Sequence, residues 1–129
     1  MELLYKDLTD KIIKAYYDVY NELGYGFLER VYQNALCFEL RMRGHQVEVQ
    51  KEIKVYYKGV EVGLYYADII VDGKVILELK AAEVLVEEHD HQLLNYLRGT
   101  DKEVGLLLNF GPKPTFHRKV FANNQKKLP

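Results

Sequence analysis

The chain has little of several things that would narrow its class. A single cysteine, Cys37, among 129 residues excludes a disulfide within the chain, and its place in a helical stretch suits a core thiol better than a nucleophile. No apolar run approaches the length of a membrane span, and no basic, apolar, small-residue leader opens the sequence. The expected location is therefore the cytoplasm, with no membrane partner. Neither sign of charge is in excess: 18 Lys and Arg against 19 Asp and Glu leave a net charge of −1, which argues slightly against a strong nonspecific polyanion binder. Internal repeats and low-complexity segments are missing too. What remains, 48% hydrophobic and 29% charged residues, is the composition of an ordinary soluble globular protein. Its length makes residues 1–129 one domain with a real core.

Periodicity supplies the elements. Ile12, Ile13, Tyr16, Val19, Tyr20 and Leu23 predict a helix over Leu8 to Leu23, with Thr9 as its N-cap and Gly24 as its end. A second helix is expected from Phe27 to about Arg43, burying Leu28, Val31, Tyr32, Ala35, Leu36 and Leu40. Gln46 to Tyr57 alternates as a strand with a break near Lys51-Glu52, and Lys58-Gly59 turns it into Val60 to Leu64. After residue 80 the chain leaves the sheet for a helix from about Glu87 to Arg98, which places His89, Gln92 and Tyr96 on one face. Val104 to Phe110 reads as a strand buried on both faces, parallel to the strand before the helix because a crossover joins them. Thr115 to Phe121 is an edge strand, and Asn123 to Pro129 should fray. Five basic residues and no acidic one follow Gly111: Lys113, Arg118, Lys119, Lys126 and Lys127. They form either a solvated tail or an edge that contacts phosphates, with Arg118 and Lys119 as the contacts.

The stretch from Tyr66 to Lys80 organises the rest. Two β-branched runs flank Asp72-Gly73, which predicts a hairpin carrying three charged groups, Asp68, Glu78 and Lys80, inside apolar strands. Glu78 and Lys80 share a face. A two-residue turn would set Asp68 opposite Leu77, on the other face. A three-residue loop, Val71-Asp72-Gly73, pairs Ile70 with Lys74 and sets Asp68 beside Ile76, on the face of Glu78. The second register is expected, because the first leaves a carboxylate on each apolar face. Glu78 and Lys80 can be read as a plain strand salt bridge. They can also be read with Asp68 as a hard-cation site, offering oxygen ligands to Mg²⁺ and an ammonium beside the attacking water.

Asp68 followed by Glu78-x-Lys80 resembles the active-site signature of the PD-(D/E)XK nuclease superfamily, with Ala67 at the position of the name-giving proline. Gly26-Phe27-Leu28-Glu29-Arg30-Val31-Tyr32 fits Gly-x-x-Glu-x-x-Tyr, so the chain resembles the small GxxExxY proteins of that superfamily from about Ile12 to Phe121. Many relatives carry His where Tyr20 stands and Pro where Tyr25 stands, so a phenol would have to replace any contact the histidine made. The resemblance implies a restriction-endonuclease-like α/β fold. It would be a four- or five-stranded mixed sheet of α-β-β-β-α-β topology with an extra N-terminal helix.

The resemblance also implies roles. Glu29, Asp68 and Glu78 would bind Mg²⁺ or Mn²⁺ alongside the carbonyl of Leu79, while Lys80 orients and helps deprotonate the water and Gln92 assists. Glu29 alone would otherwise be only a favourable charge at a helix start. Tyr32 would pack under the site with its hydroxyl free for a ligand. His89, Gln92 and Tyr96 resemble the helix motif after the site, close to the Gln-x-x-x-Tyr of exonuclease-type relatives, with Tyr96 touching backbone or stacking on a base. The implied activity is metal-dependent hydrolysis of phosphodiester bonds, with DNA the expected substrate. Two alternatives stay open: a nucleic-acid-binding module without turnover, and a protein-interaction subunit of a repair or defence machine. Eleven tyrosines also suggest a homodimer.

Overall fold

The computed structural model describes residues 4–126, so Lys127 of the basic C-terminal group lies outside it. Helices α1 (Lys6–Leu23) and α2 (Glu29–Met42) precede three strands, β1 (Val47–Tyr57), β2 (Val60–Val71) and β3 (Val75–Lys80). Helix α3 (Glu87–Arg98), β4 (Val104–Phe110) and β5 (Pro114–Val120) follow. The five strands form one sheet in the order β1-β2-β3-β4-β5, antiparallel except where β4 joins β3 through α3. This mixed α/β architecture is restriction-endonuclease-like, with α1 as the extra helix.

Burial explains the layering. All seven residues of β4 are buried, so the strand has no solvent face and must be covered on both sides. Burying each of Leu106, Leu107 and Leu108 contributes about 1.5–3 kcal/mol. One core joins Ile12, Tyr16, Tyr32, Leu36 and Leu40 of α1 and α2 to Leu77, Leu79 and Phe110, and the other joins Leu93 and Leu97 of α3 to Ile70, Ile76 and Leu107. On β3 the alternation sends Val75, Leu77 and Leu79 toward α1 and α2. Ile76, Glu78 and Lys80 therefore face the α3 side.

Several local expectations need correction. Thr9 lies inside α1 and donates to the Lys6 carbonyl, because the helix starts earlier, behind Tyr5 at φ 55°. Leu28 and Val31 are exposed, so the inward stripe of α2 is Tyr32, Leu36, Cys37 and Leu40. The irregularities of β1 fall at Gln50, at φ 52°, and between Val55 and Tyr56, where the register shifts, and the strand runs on through Lys51-Glu52. Asn123 to Lys126 is tied down: Asn123–Gln125 forms a short 3-10 turn, and Lys126 Nζ donates to the carbonyls of Thr100 and Lys102.

Candidate active site

The hairpin register differs from both sequence alternatives. Val71 pairs with Val75, Ile70 with Ile76 and Ile69 with Leu77, so the loop is Asp72-Gly73-Lys74. Asp72 (φ 53°) and Gly73 (φ 65°) both take the left-handed conformation. Asp72 tolerates it because its carboxylate accepts the Gln46 N–H at 2.8 Å and faces His45 Nδ1 at 2.9 Å, anchoring the turn to the start of β1. The shift from the expected register is two residues, so parity survives and Asp68 and Glu78 still meet.

They meet where the strands part. The β2–β3 ladder ends at Ile69 and Leu77, and side chains take over: Leu79 N–H donates to Asp68 Oδ2 at 2.8 Å, and Asp68 N–H to Glu78 Oε1 at 3.3 Å. Ala67 joins the α3-side core and Ile69 the opposite one, so the alternation of β2 slips by one residue across Asp68. Opposite that slip, Gln50 Nε2 donates to Asp68 Oδ1 at 3.3 Å and to Gln33 Oε1 of α2 at 3.2 Å.

Glu78 is 5% exposed. Burial first, and then the neighbouring Asp68 charge, push its carboxyl up to about 8, with nearby Lys80 only partly offsetting this. Lys80 is half-buried and forms no ion pair among the described residues, which removes the plain Glu78–Lys80 salt bridge. Buried Glu78 and half-buried Asp68 thus adjoin with no paired cation among the described residues. Their hard oxygen donors fit a divalent cation of the Mg²⁺ type, which takes one or two carboxylates and keeps several waters.

The other expected residues are placed unevenly. Glu29, first residue of α2, is exposed, and among the described residues no three His, Cys, Asp or Glu side chains group to hold a metal ion. The expected three-carboxylate cluster is thus a pair. α2 instead reaches the pair through Gln33, one turn after Glu29. Tyr32 is buried, stacks on Phe110, donates to the Gly24 carbonyl at 2.6 Å and accepts the Phe27 N–H at 3.1 Å. Its hydroxyl holds the α1–α2 loop and is not free for a ligand. Tyr20, in the position of the missing histidine, is likewise engaged, its hydroxyl 2.6 Å from the Gly111 carbonyl.

On α3, His89 Nδ1 accepts the Val86 N–H at 3.2 Å and so caps the helix, and the residue lines one groove with Gln92 and Tyr96. Gln92 Nε2 donates to Tyr96 Oη at 3.0 Å. Tyr96 is 5% exposed, and its phenol is pushed up to about 12 by burial and then by the charges of Glu78 and Asp68. Gln92 and Tyr96 also line an open groove of about 900 Å³ with Tyr56, Tyr65 and Arg98. Neither carboxylate lines that groove, though their charges reach Tyr96 in its lining.

Arg118 and Lys119, as neighbours on β5, point to opposite faces. Arg118 donates to the Leu4 carbonyl, and its buried Nε has no partner. Lys119 pairs with Asp90 at 3.4 Å, as does His117 at 2.7 Å. Through β4, Lys119 is level with Ile76 and not with Glu78. Sequence reading missed Asn109, buried opposite Lys80, whose amide accepts the Ala82 N–H and donates to the Ala82 carbonyl, both at 3.0 Å. This clamp fixes the path of the chain just past Lys80. Gly111 permits it, since a Cβ there would stand 2.1 Å from the Ala82 oxygen. Buried Asn inside an apolar run was the available signal.

A five-stranded mixed sheet between helices, with an acidic pair where its central hairpin parts, defines the restriction-endonuclease-like class of α/β domain. The sequence profile of the PD-(D/E)XK nuclease superfamily matches residues 6–120, and the chain belongs to that superfamily. A solved structure described as "Crystal structure of SSO0001" is similar, with a TM-score of 0.56 and 19% identity over 72% of this chain and 50% of that one. The likeness is one of fold, and this chain spans about half of that protein's length. No curated protein sequence matches the chain.

Proposed function

We propose that this chain is a divalent-metal-dependent nuclease of the GxxExxY branch that hydrolyses phosphodiester bonds in DNA. The observation that carries the reading is buried Glu78 hydrogen-bonded to the backbone of half-buried Asp68, with Lys80, in no ion pair among the described residues, two residues further along β3. Asp68, Glu78 and the Leu79 carbonyl would hold Mg²⁺ or Mn²⁺. When bound, the ion would withdraw charge from the phosphoryl oxygens. Glu29 enters only as an outer carboxylate at the start of α2.

The chain's own groups do the remaining work. Lys80 orients the attacking water and favours loss of its proton by placing an ammonium beside it. Gln50, itself held by Gln33, keeps Asp68 from rotating, and the Leu79 N–H fixes its second oxygen. Gln92 holds the Tyr96 hydroxyl, which lies within electrostatic reach of both carboxylates. In the groove that Gln92 and Tyr96 line, Tyr56 and Tyr65, 42% and 48% exposed, would stack on the bases of an unpaired strand whose phosphates keep clear of Glu87 and Glu88 in the same lining.

The test is a titration of Mg²⁺ and of Mn²⁺ into purified protein with labelled single- and double-stranded DNA, read for binding and for fragments. Metal-dependent fragments that vanish in Glu78→Gln support the enzyme. Binding without fragments at any metal concentration would leave a nucleic-acid-binding module. Neither binding nor fragments would favour a protein-interaction subunit.

A further inference from the structure

Gln50 stands inside β1 at φ 52°, a left-handed conformation that costs most residues other than glycine. Among the described residues, three other non-glycine residues have positive φ: Tyr5 precedes a helix, and Lys58 and Asp72 make turns, so only Gln50 lies within a strand. Backbone strain of this kind persists only where the surroundings impose it, and it gathers at functional sites. We propose that Gln50 is a positioning residue for the acid pair. Its backbone turns both strands over at one level, and its amide, bridging Gln33 to Asp68, holds the carboxylate where that turnover leaves it.

The turnover is written in the register. β1 and β2 pair Val49 with Ile69 and Lys51 with Ala67, and skip Gln50 and Asp68 between them. Side chains two or four apart on a regular strand share a face. Val49 nevertheless lines a concavity with Cys37 and Phe38 of α2 while Ile53 joins the α3-side core, and Ile69 and Ala67 divide in the same way. Both strands therefore make a half-turn at the level of Gln50 and Asp68. Past it, Val55 and Tyr65 line the groove together with α3.

The choice of side chain agrees. Glycine or asparagine would take φ 52° at lower cost, so a glutamine there needs a reason. Gln50 is exposed, and packing does not hold its side chain. Two hydrogen bonds do: Nε2 donates to Asp68 Oδ1 at 3.3 Å and to Gln33 Oε1 at 3.2 Å. Asparagine, one methylene shorter, would not reach both.

Each oxygen of Asp68 is thereby assigned. Oδ2 accepts the Leu79 N–H at 2.8 Å and Oδ1 the Gln50 amide, while the Asp68 N–H donates to Glu78. Without the Gln50 amide, one side of the carboxylate is free to turn. On the nuclease reading this carboxylate holds the cation, and groups that orient a metal-ligating side chain change affinity by about 10- to 100-fold when removed. The effect on the cation rests on that reading, whereas the positioning rests on register and hydrogen bonds alone.

Amide hydrogen exchange and calorimetry of the full chain test it. The Leu79 N–H, bonded to Asp68 Oδ2, reports where that carboxylate sits. Gln50→Gly and Gln50→Asn keep the left-handed backbone and lose the bridge. In chelator, Leu79 should exchange about 10-fold faster in both, while the amides of β4 and the melting temperature hold. Gln50→Val, branched at Cβ, should instead lower the melting temperature by several degrees. Mg²⁺ and Mn²⁺ should bind the Gly and Asn variants about 10- to 100-fold more weakly than the parent. Leu79 exchange at the parental rate in both variants overturns the proposal, as does a Gln50→Val chain that melts like the parent, or cation affinity equal to the parent's in both. Faster Leu79 exchange in a protein whose parent binds neither cation supports the positioning and overturns the nuclease reading instead.

Discussion

A carboxyl group held at 5% exposure beside a second carboxylate is costly unless something supplies positive charge, and Glu78 is that group. Without metal, its raised value means that the folded chain binds a proton more tightly than the unfolded chain. Glu78 thus contributes its full stability below the ordinary 4.5 and loses it as pH rises toward 8. Glu78→Gln removes the titration. In chelator at pH 8 this variant should melt a few degrees above the parent, with the gap closing near pH 4, whereas added Mg²⁺ should stabilise the parent and not the variant. Thermal melts across that range, with and without metal, check both halves. Lys80→Met should separate binding from turnover. The carboxylates remain and a repelling ammonium is gone, so calorimetric cation affinity should hold or rise. Cleavage should fall by about 10²- to 10⁴-fold, the scale of a lost acid-base contribution. Cleavage at the parental rate would make Lys80 structural.

Two elements position this chemistry, and each has a polar fastening that can be cut. The first is the α1–α2 loop, fastened by the Tyr32 hydroxyl to Gly24 and Phe27. Tyr32→Phe keeps the ring stacked on Phe110 but leaves the Gly24 carbonyl without its donor. It should cost about 1–3 kcal/mol in urea unfolding with an unchanged m-value. If Tyr32 instead touched substrate, the loss would appear in DNA affinity and not in stability. The second is the β2–β3 turn. Burial alone would raise the Asp72 carboxyl, but the bonds from His45 and the Gln46 amide hold it below the ordinary range. A lowered value means stability that is present above about pH 4 and is lost as pH falls through the folded value. Asp72→Asn, which also tolerates the left-handed turn, should therefore unfold in acid with a shallower dependence below pH 4, measured by circular dichroism.

These same elements show what the sequence could carry. α3 and β4 were legible because one is strongly periodic between caps and the other is an unbroken apolar run. The parity of Asp68 and Glu78 followed from the cost of splitting two carboxylates between faces. The register itself did not, because Asp72 takes its positive φ beside Gly73 only with support from the distant His45 and Gln46, which decide which residues make the loop. Gln33, Gln50 and Asn109 escaped for a related reason: an amide reveals its role only through a partner far along the chain.

At the scale of the molecule, the sheet separates two surfaces with different work. The α1–α2 side is closed by a large core. The α3 side carries Glu78, Lys80 and the tyrosine-lined groove. This division revises where a polyanion would run. Arg118 and Lys119 point to opposite faces, one bound to the Leu4 carbonyl and the other to Asp90, so neutralising both should leave the salt dependence of DNA binding nearly unchanged. The expected determinants are the ring faces instead. Tyr56→Ala and Tyr65→Ala each remove one stacking surface, worth about 1–3 kcal/mol per base, and should weaken binding of single-stranded DNA by roughly 5- to 100-fold. Duplex binding should change far less, since paired bases are stacked on one another and cannot reach the rings. Fluorescence anisotropy with Glu78→Gln as the non-cleaving parent reads both forms at several salt concentrations. Equal losses for single and double strands would move the nucleic acid out of the groove, and a salt slope that drops by about two on neutralising Arg118 and Lys119 would return it to β5.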